Sequence, residues 1–87
     1  MGIRRKVKQV IDGDTFIVSR KIGGTNRIRL AGVNAPEKYQ FGGTVATNKL
    51  KGLIGGKTVT IVPVGRSYGR LVADVRTNRK SVNRRLK

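Results

Sequence analysis

Charge constrains this chain more than any other feature of its sequence. Twenty Lys and Arg stand against four Asp and Glu, leaving a formal net charge of +16 at pH 7. Cations at that density repel one another when the chain collapses, so a polyanionic partner is the natural counterweight. Solubility alone needs a net charge of only about 2–8. Apolar residues make up 37% of the 87 positions. That supports a small core, on the order of 60–65% of the unfolded surface being buried in a domain of this size. Cysteine and histidine are absent, which excludes disulfides, zinc fingers, thiol nucleophiles and imidazole bases. Any catalytic site must run on carboxylates, cations and metal.

The organisation expected is one domain over residues 1–87, since no repeat, Ser/Pro-rich linker or low-complexity tract divides the chain. No run approaches the ~20 apolar residues of a spanning helix. No basic amphipathic helix with a long apolar face is evident, and the basic start lacks the apolar stretch of a signal peptide. The protein is therefore expected to be an intracellular monomer without a membrane partner.

Basic residues from Arg4 to Lys8 lead into Val10 and Ile11 as a first strand. The turn Asp12-Gly13-Asp14 follows, and Thr15 to Val18 returns as a second strand, making a hairpin. After Gly23-Gly24, the alternation Arg27-Ile28-Arg29-Leu30 gives a third strand with one basic face. Pro36 breaks it. Ala46, Leu50, Leu53 and Ile54 fall at helical spacing, with Thr44 as the expected N-cap and Gly55-Gly56 as the stop. Thr58–Val62 and Leu71–Arg76 read as strands four and five. This order, with the helix between strands three and four, is that of a mainly β, five-stranded OB-fold Greek-key barrel. The rival, an SH3-like barrel, does not readily accommodate that helix.

Asp12, Asp14, Glu37 and Asp74 are the four acidic residues. The first three fall in or beside turns between strands, and Asp74 inside strand five. Asp12 and Asp14 alone fit ordinary hairpin chemistry, in which Asp-Gly is common; with Glu37 they could also hold a hard cation.

The stretches VIDGDTFIV, RIRLAGVNAPE, YGRLVADV and the late VN resemble, in the same order, the signatures of the staphylococcal nuclease (thermonuclease) family. The resemblance runs from about Val7 to Leu86. It implies the OB barrel and a calcium-dependent endonuclease that hydrolyses DNA and RNA with little sequence preference, leaving a 5′-hydroxyl and a 3′-phosphate. By the resemblance, Arg29 and Arg70 hold the scissile phosphate and Glu37 orients or deprotonates the attacking water. Asp14 and the Ala35 backbone carbonyl ligate calcium, Asp12 lies just behind, and Tyr68 stands beside the substrate phosphate. Guanidinium pairs suit phosphate oxygens, and without histidine Glu37 is the most credible base.

Three departures weaken the match. Asn34 stands where the family pattern has a second metal-binding aspartate; its amide oxygen can coordinate but adds no charge, so calcium binding without substrate is expected to be weak. Arg66 and Ser67 precede Tyr68 where the family often has an acidic then a basic residue, making the substrate side, with Arg27, more basic. The family's further C-terminal helix is expected to be largely missing, begun at most by Ser81–Leu86. The alternative function is a weak or inactive OB module that grips nucleic acid through its basic surface. Phe16, Tyr39, Phe41 and Tyr68 could each stack a base. An aromatic cage for protein tails is disfavoured by two Tyr, two Phe and no Trp.

Overall fold

The computed structural model describes residues 2–36, 39–77 and 79–86. Along the chain lie β1 (Ile3–Asp12), β2 (Thr15–Ile22), β3 (Thr25–Leu30), α1 (Gly43–Ile54), β4 (Thr58–Ser67), β5 (Arg70–Thr77), β6 (Lys80–Ser81) and α2 (Val82–Leu86). The strands line up as β3-β2-β1-β4-β5-β6, and β3 also pairs with β5. That last, parallel pairing joins Ile28 to Leu71, Arg29 to Val72 and Leu30 to Ala73. It closes β1 to β5 into the five-stranded barrel expected from the element order, with α1 between β3 and β4. No helix among the described residues is long and apolar enough to cross a membrane.

Alternation along the strands fills the barrel. Phe16, Val18, Ile28, Leu30, Ile61, Ala73 and Val75 are fully buried, and Leu50 and Ile54 of α1 close it from outside β1. Phe16 thus belongs to the core, correcting the expectation that it could stack a base. An alternating strand that places Ile17 outward must place its neighbours inward.

The helix also starts differently from expectation. Its N-cap is Gly42, in the left-handed region at φ 82°, with no side-chain cap, and Thr44 is an exposed residue inside the first turn. The glycine can enter the helix from a conformation that a Thr would resist. Thr47, absent from the apolar pattern, is buried on the core side, where its hydroxyl donates to the Gly43 carbonyl at 2.8 Å.

Strand β4 runs on through Pro63, beyond the expected Val62. Its pairing with β1 ends at Ile61, opposite Ile3, so the missing Pro63 N–H interrupts no ladder on that side. A register shift between Pro63 and Gly65 absorbs the irregularity. At the far tip of β2, Ile22 pairs with Thr25 across Gly23 and Gly24, both at positive φ (59° and 88°). These angles are those of the hairpin turn whose twist matches the strands, and glycine adopts them without strain.

The C-terminal residues act as a clasp. Asn83 is 2% exposed. Its Oδ1 accepts from the Val75 N–H at 2.9 Å, and its Nδ2 donates to the carbonyls of Ala31 at 2.9 Å and Ala73 at 3.2 Å. Beside it Val82 is fully buried in the core. One amide therefore ties α2 to β5 and to the chain leaving β3. Replacing Asn83 with Ala strands a buried donor and acceptor at the barrel seam. Urea denaturation should show a loss of about 2–4 kcal/mol, whereas the exposed Arg84→Ala should change stability by less than about 0.5 kcal/mol.

Candidate active site

The site grows from the β1–β2 hairpin. Asp12 pairs with Thr15, leaving Gly13 and Asp14 at the turn. A Cβ on Gly13 would lie 2.6 Å from the Cβ atoms of both Ala35 and Ala46. Only glycine lets this turn press against the segment after β3 and against α1, and that close approach delivers Asp14 to Ala35.

Asp14 is 8% exposed, and its carboxylate is fully engaged. Oδ1 accepts from the Thr15 hydroxyl at 2.9 Å, Oδ2 accepts from the Ala35 N–H at 3.3 Å, and the Arg29 Nη2 lies 3.7 Å from Oδ2. Arg29 is oriented in turn by the loop it precedes. Its Nη2 donates to the Asn34 Oδ1 at 2.7 Å and the Val33 carbonyl at 3.1 Å, and its Nη1 donates to the Leu30 carbonyl at 3.2 Å. The guanidinium is thereby preorganised by neutral acceptors along one edge, with its positive charge only partly balanced by Asp14.

Arg70 opens β5 beside this pair. Because Arg29 aligns with Val72, two residues along β5 from Arg70, both arginines project from the same face across the barrel seam. Asp12, Asp14, Arg29, Asn34, Ala35 and Arg70 line one cavity of about 230 Å³. These residues come from the β1–β2 turn, β3, the following loop and the start of β5. The Asp12 Oδ1 accepts the Asp14 N–H at 3.2 Å. Its carboxyl pKa is pushed above the usual 3.8, first by burial and then by the side chain and charge of Asp14.

The oxygen donors of this cavity suit a hard cation such as calcium, which takes about 6–8 oxygen ligands. Asp14, Asp12 and the Asn34 amide are the side chains available. Among the described residues no group of three or more His, Cys, Asp or Glu converges.

Other expected residues fall around the cavity rather than in it. Arg27 lies two positions before Arg29 on the same strand face and is exposed. Arg66 donates to the Gly23 carbonyl, bracing one hairpin tip against another. The Thr25 hydroxyl makes a parallel brace to the Gly69 carbonyl at 2.9 Å. Tyr68 is 95% exposed in the turn between Ser67 and Arg70, held at a positive φ of 49°. Tyr39 and Phe41 are fully open to solvent. Glu37 lies outside the described residues. Sequence reasoning missed Thr15, whose hydroxyl orients Asp14, and the Leu30 and Val33 carbonyls that orient Arg29. Only Thr15, adjacent to an aspartate, left any trace in residue type.

A family model described as "Staphylococcal nuclease homologue" matches residues 27–87. Proteins called "Uncharacterized endonuclease" from Escherichia coli O157:H7 and from Escherichia coli are each 45% identical over 76 residues, which cover 84% of this chain and 48% of theirs. The chain thus spans about half the length of the curated relatives it matches.

Asp12 yields a signed pH prediction. A carboxyl whose folded pKa is raised binds its proton more tightly in the native state, so its contribution to stability declines as pH rises from 3.8 through the raised value. Asn at this position keeps the acceptor for the Asp14 N–H and removes the charge. Asp12→Asn should therefore melt slightly higher than the unsubstituted protein at pH 7, with the gap narrowing toward pH 3.5 in thermal scans.

Proposed function

The chain belongs to the staphylococcal nuclease family, and on that premise we propose that it is a calcium-assisted phosphodiesterase acting on DNA or RNA with little sequence preference. The observation that carries this reading is the convergence of Arg29, Arg70, Asp14, Asp12, Asn34 and Ala35 on one cavity. A phosphodiester under attack gathers negative charge on its equatorial oxygens. Two guanidiniums on one face of the barrel seam can clamp those oxygens, and Arg29 arrives already oriented by Leu30, Val33 and Asn34. Asp14, the Asn34 amide and the Ala35 carbonyl would hold calcium, with Asp12 supporting Asp14 from behind. Calcium in that position would polarise the phosphoryl oxygen and help orient water. Glu37, four residues before the exposed Phe41, is assigned from sequence the task of receiving the water proton.

A second reading is favoured by the charge count at the cavity, where two carboxylates meet two arginines. On that reading the barrel binds nucleic-acid backbone with little or no cleavage.

Incubation with single-stranded DNA and RNA, in calcium or in chelator, separates the two. Calcium-dependent cutting is expected, with Arg29→Ala and Arg70→Ala each lowering it by about 10²–10³. Asn34→Asp, which restores a ligand charge, should lower the calcium concentration needed for half-maximal cutting. Tight, salt-sensitive binding with no cutting by the unsubstituted protein or by Asn34→Asp would leave only the binding reading. Tyr68→Asn offers an independent check, because Asn tolerates the left-handed turn position. It should stabilise the fold by on the order of 1 kcal/mol while weakening single-stranded DNA binding, through loss of an exposed ring on which a base can stack.

A further inference from the structure

The candidate cavity uses two of the chain's twenty cations, and six others gather around the far end of β5. Two grooves lie there, of about 550 and 490 Å³, and both are lined by Arg76 and Arg79. The larger adds Lys80, Arg84 and Arg85, with Asp74 as its lone carboxylate. The smaller adds Arg4 and the hydroxyls of Thr58, Thr60 and Thr77.

Strand register explains the gathering. Arg4 faces Thr60, Thr60 faces Arg76, and Arg76 faces Ser81 across β1, β4, β5 and β6. Facing residues project from the same side of a sheet. Guanidiniums and hydroxyls therefore alternate along one outer row. All are donors suited to phosphate oxygens. Among the described residues, none of these cations is ion-paired.

Arg79 adds a sign of constraint. It sits in the two-residue connection between Thr77 and its partner Lys80, at a positive φ of 65°. Glycine, asparagine or aspartate suits that position, and a long cation held there in the left-handed region points toward function rather than turn chemistry.

We propose that this face is a second site for nucleic-acid backbone, centred on Arg76 and Arg79, which holds the strand whose scissile phosphate lies between Arg29 and Arg70. The inference rests on the phosphodiesterase reading of the cavity for its direction of travel. Arg70 and Arg76 lie on one strand six residues apart, which is about 20 Å at roughly 3.3 Å per residue. A strand stacked at about 3.4 Å per nucleotide covers that distance in about six nucleotides. A stacked tetranucleotide covers one site at a time, and a 20-mer reaches both.

The test is fluorescence anisotropy with labelled 4- and 20-nucleotide single-stranded DNA in chelator, over a series of salt concentrations, so that cleavage plays no part. The double variant Arg76→Gln/Arg79→Gly removes two cations and relieves the turn, and urea midpoints verify its fold. The control Arg20→Gln/Lys21→Gln removes two exposed cations from β2. For the 20-mer, the slope of log K against log salt should fall by about 1.4 in the double variant, at about 0.7 per single-strand phosphate contact. The 4-mer, which can sit at either site, should show a smaller fall, and the control should leave the slope unchanged with either length. An unchanged slope with the 20-mer, a fall with the 4-mer as large as with the 20-mer, or an equal fall in the control would overturn the proposal. The last result would reduce the effect to net charge. Arg70→Ala tests the cavity separately and should weaken the 20-mer. If it does not while the double variant behaves as expected, the cavity reading fails and the second site remains.

Discussion

Closure of the barrel between β3 and β5 is the constraint on which the rest of the molecule depends. The joined residues lie far apart in sequence, so forming this seam carries a loop-closure penalty that other contacts must offset. Three ladder pairs, the Ala31 N–H on the Ala73 carbonyl at 2.9 Å, and the buried Asn83 amide supply the compensation. The same seam sets Arg29 and Arg70 side by side on one face. Stability and the candidate chemistry are therefore joined at the same place, and a weakness in the C-terminal clasp would act on both.

The second organising force is repulsion. Strand alternation keeps most strand cations on the outer face while Val, Ile, Leu and Phe fill the barrel, so a +16 chain buries a core and little of its charge, the buried Nε of Arg5 being an exception. Among the described residues, the Arg29–Asp14 contact at 3.7 Å is the lone ion pair. Asp14 thus partly neutralises one arginine. Neutral carbonyls and the Asn34 amide do the rest of the positioning, which leaves Arg29 with charge to offer an anion. An aspartate at position 34 would add negative charge to the cavity beside Arg29.

Turn geometry then decides what reaches the rim. Gly13 permits the contact with Ala35 and Ala46, without which Asp14 could not meet the loop after β3. Tyr68 and Arg79 occupy turn positions usually left to glycine or asparagine, one beside the cavity and one at the far end. Both trade local backbone strain for a side chain presented to solvent.

The order of elements was legible in the sequence because period-two alternation, a helical apolar spacing and paired glycines are local properties. Arg27-Ile28-Arg29-Leu30 declared its two faces before any partner strand was known. The Asp12, Asp14, Arg29, Asn34, Ala35 and Arg70 set was legible through motif order, although spacing alone could not show that it surrounds one cavity. Other features depended on long-range contacts. Thr44 looked like the better cap, but the approach to α1 required a left-handed residue and Gly42 supplied it. Phe16 looked available for stacking until pairing with Ile28 and Val10 fixed its face inward. The fourth strand was expected to end at Val62, yet β4 runs on through Pro63 because the limit of β1 leaves that edge without a ladder to interrupt. Sequence by itself determined which residues could be core, turn or charge, since those preferences are set by each residue's own chemistry and its near neighbours. Tertiary structure decided which charges converge, because the closed register brings residues many positions apart onto one face, and no local pattern encodes that distance.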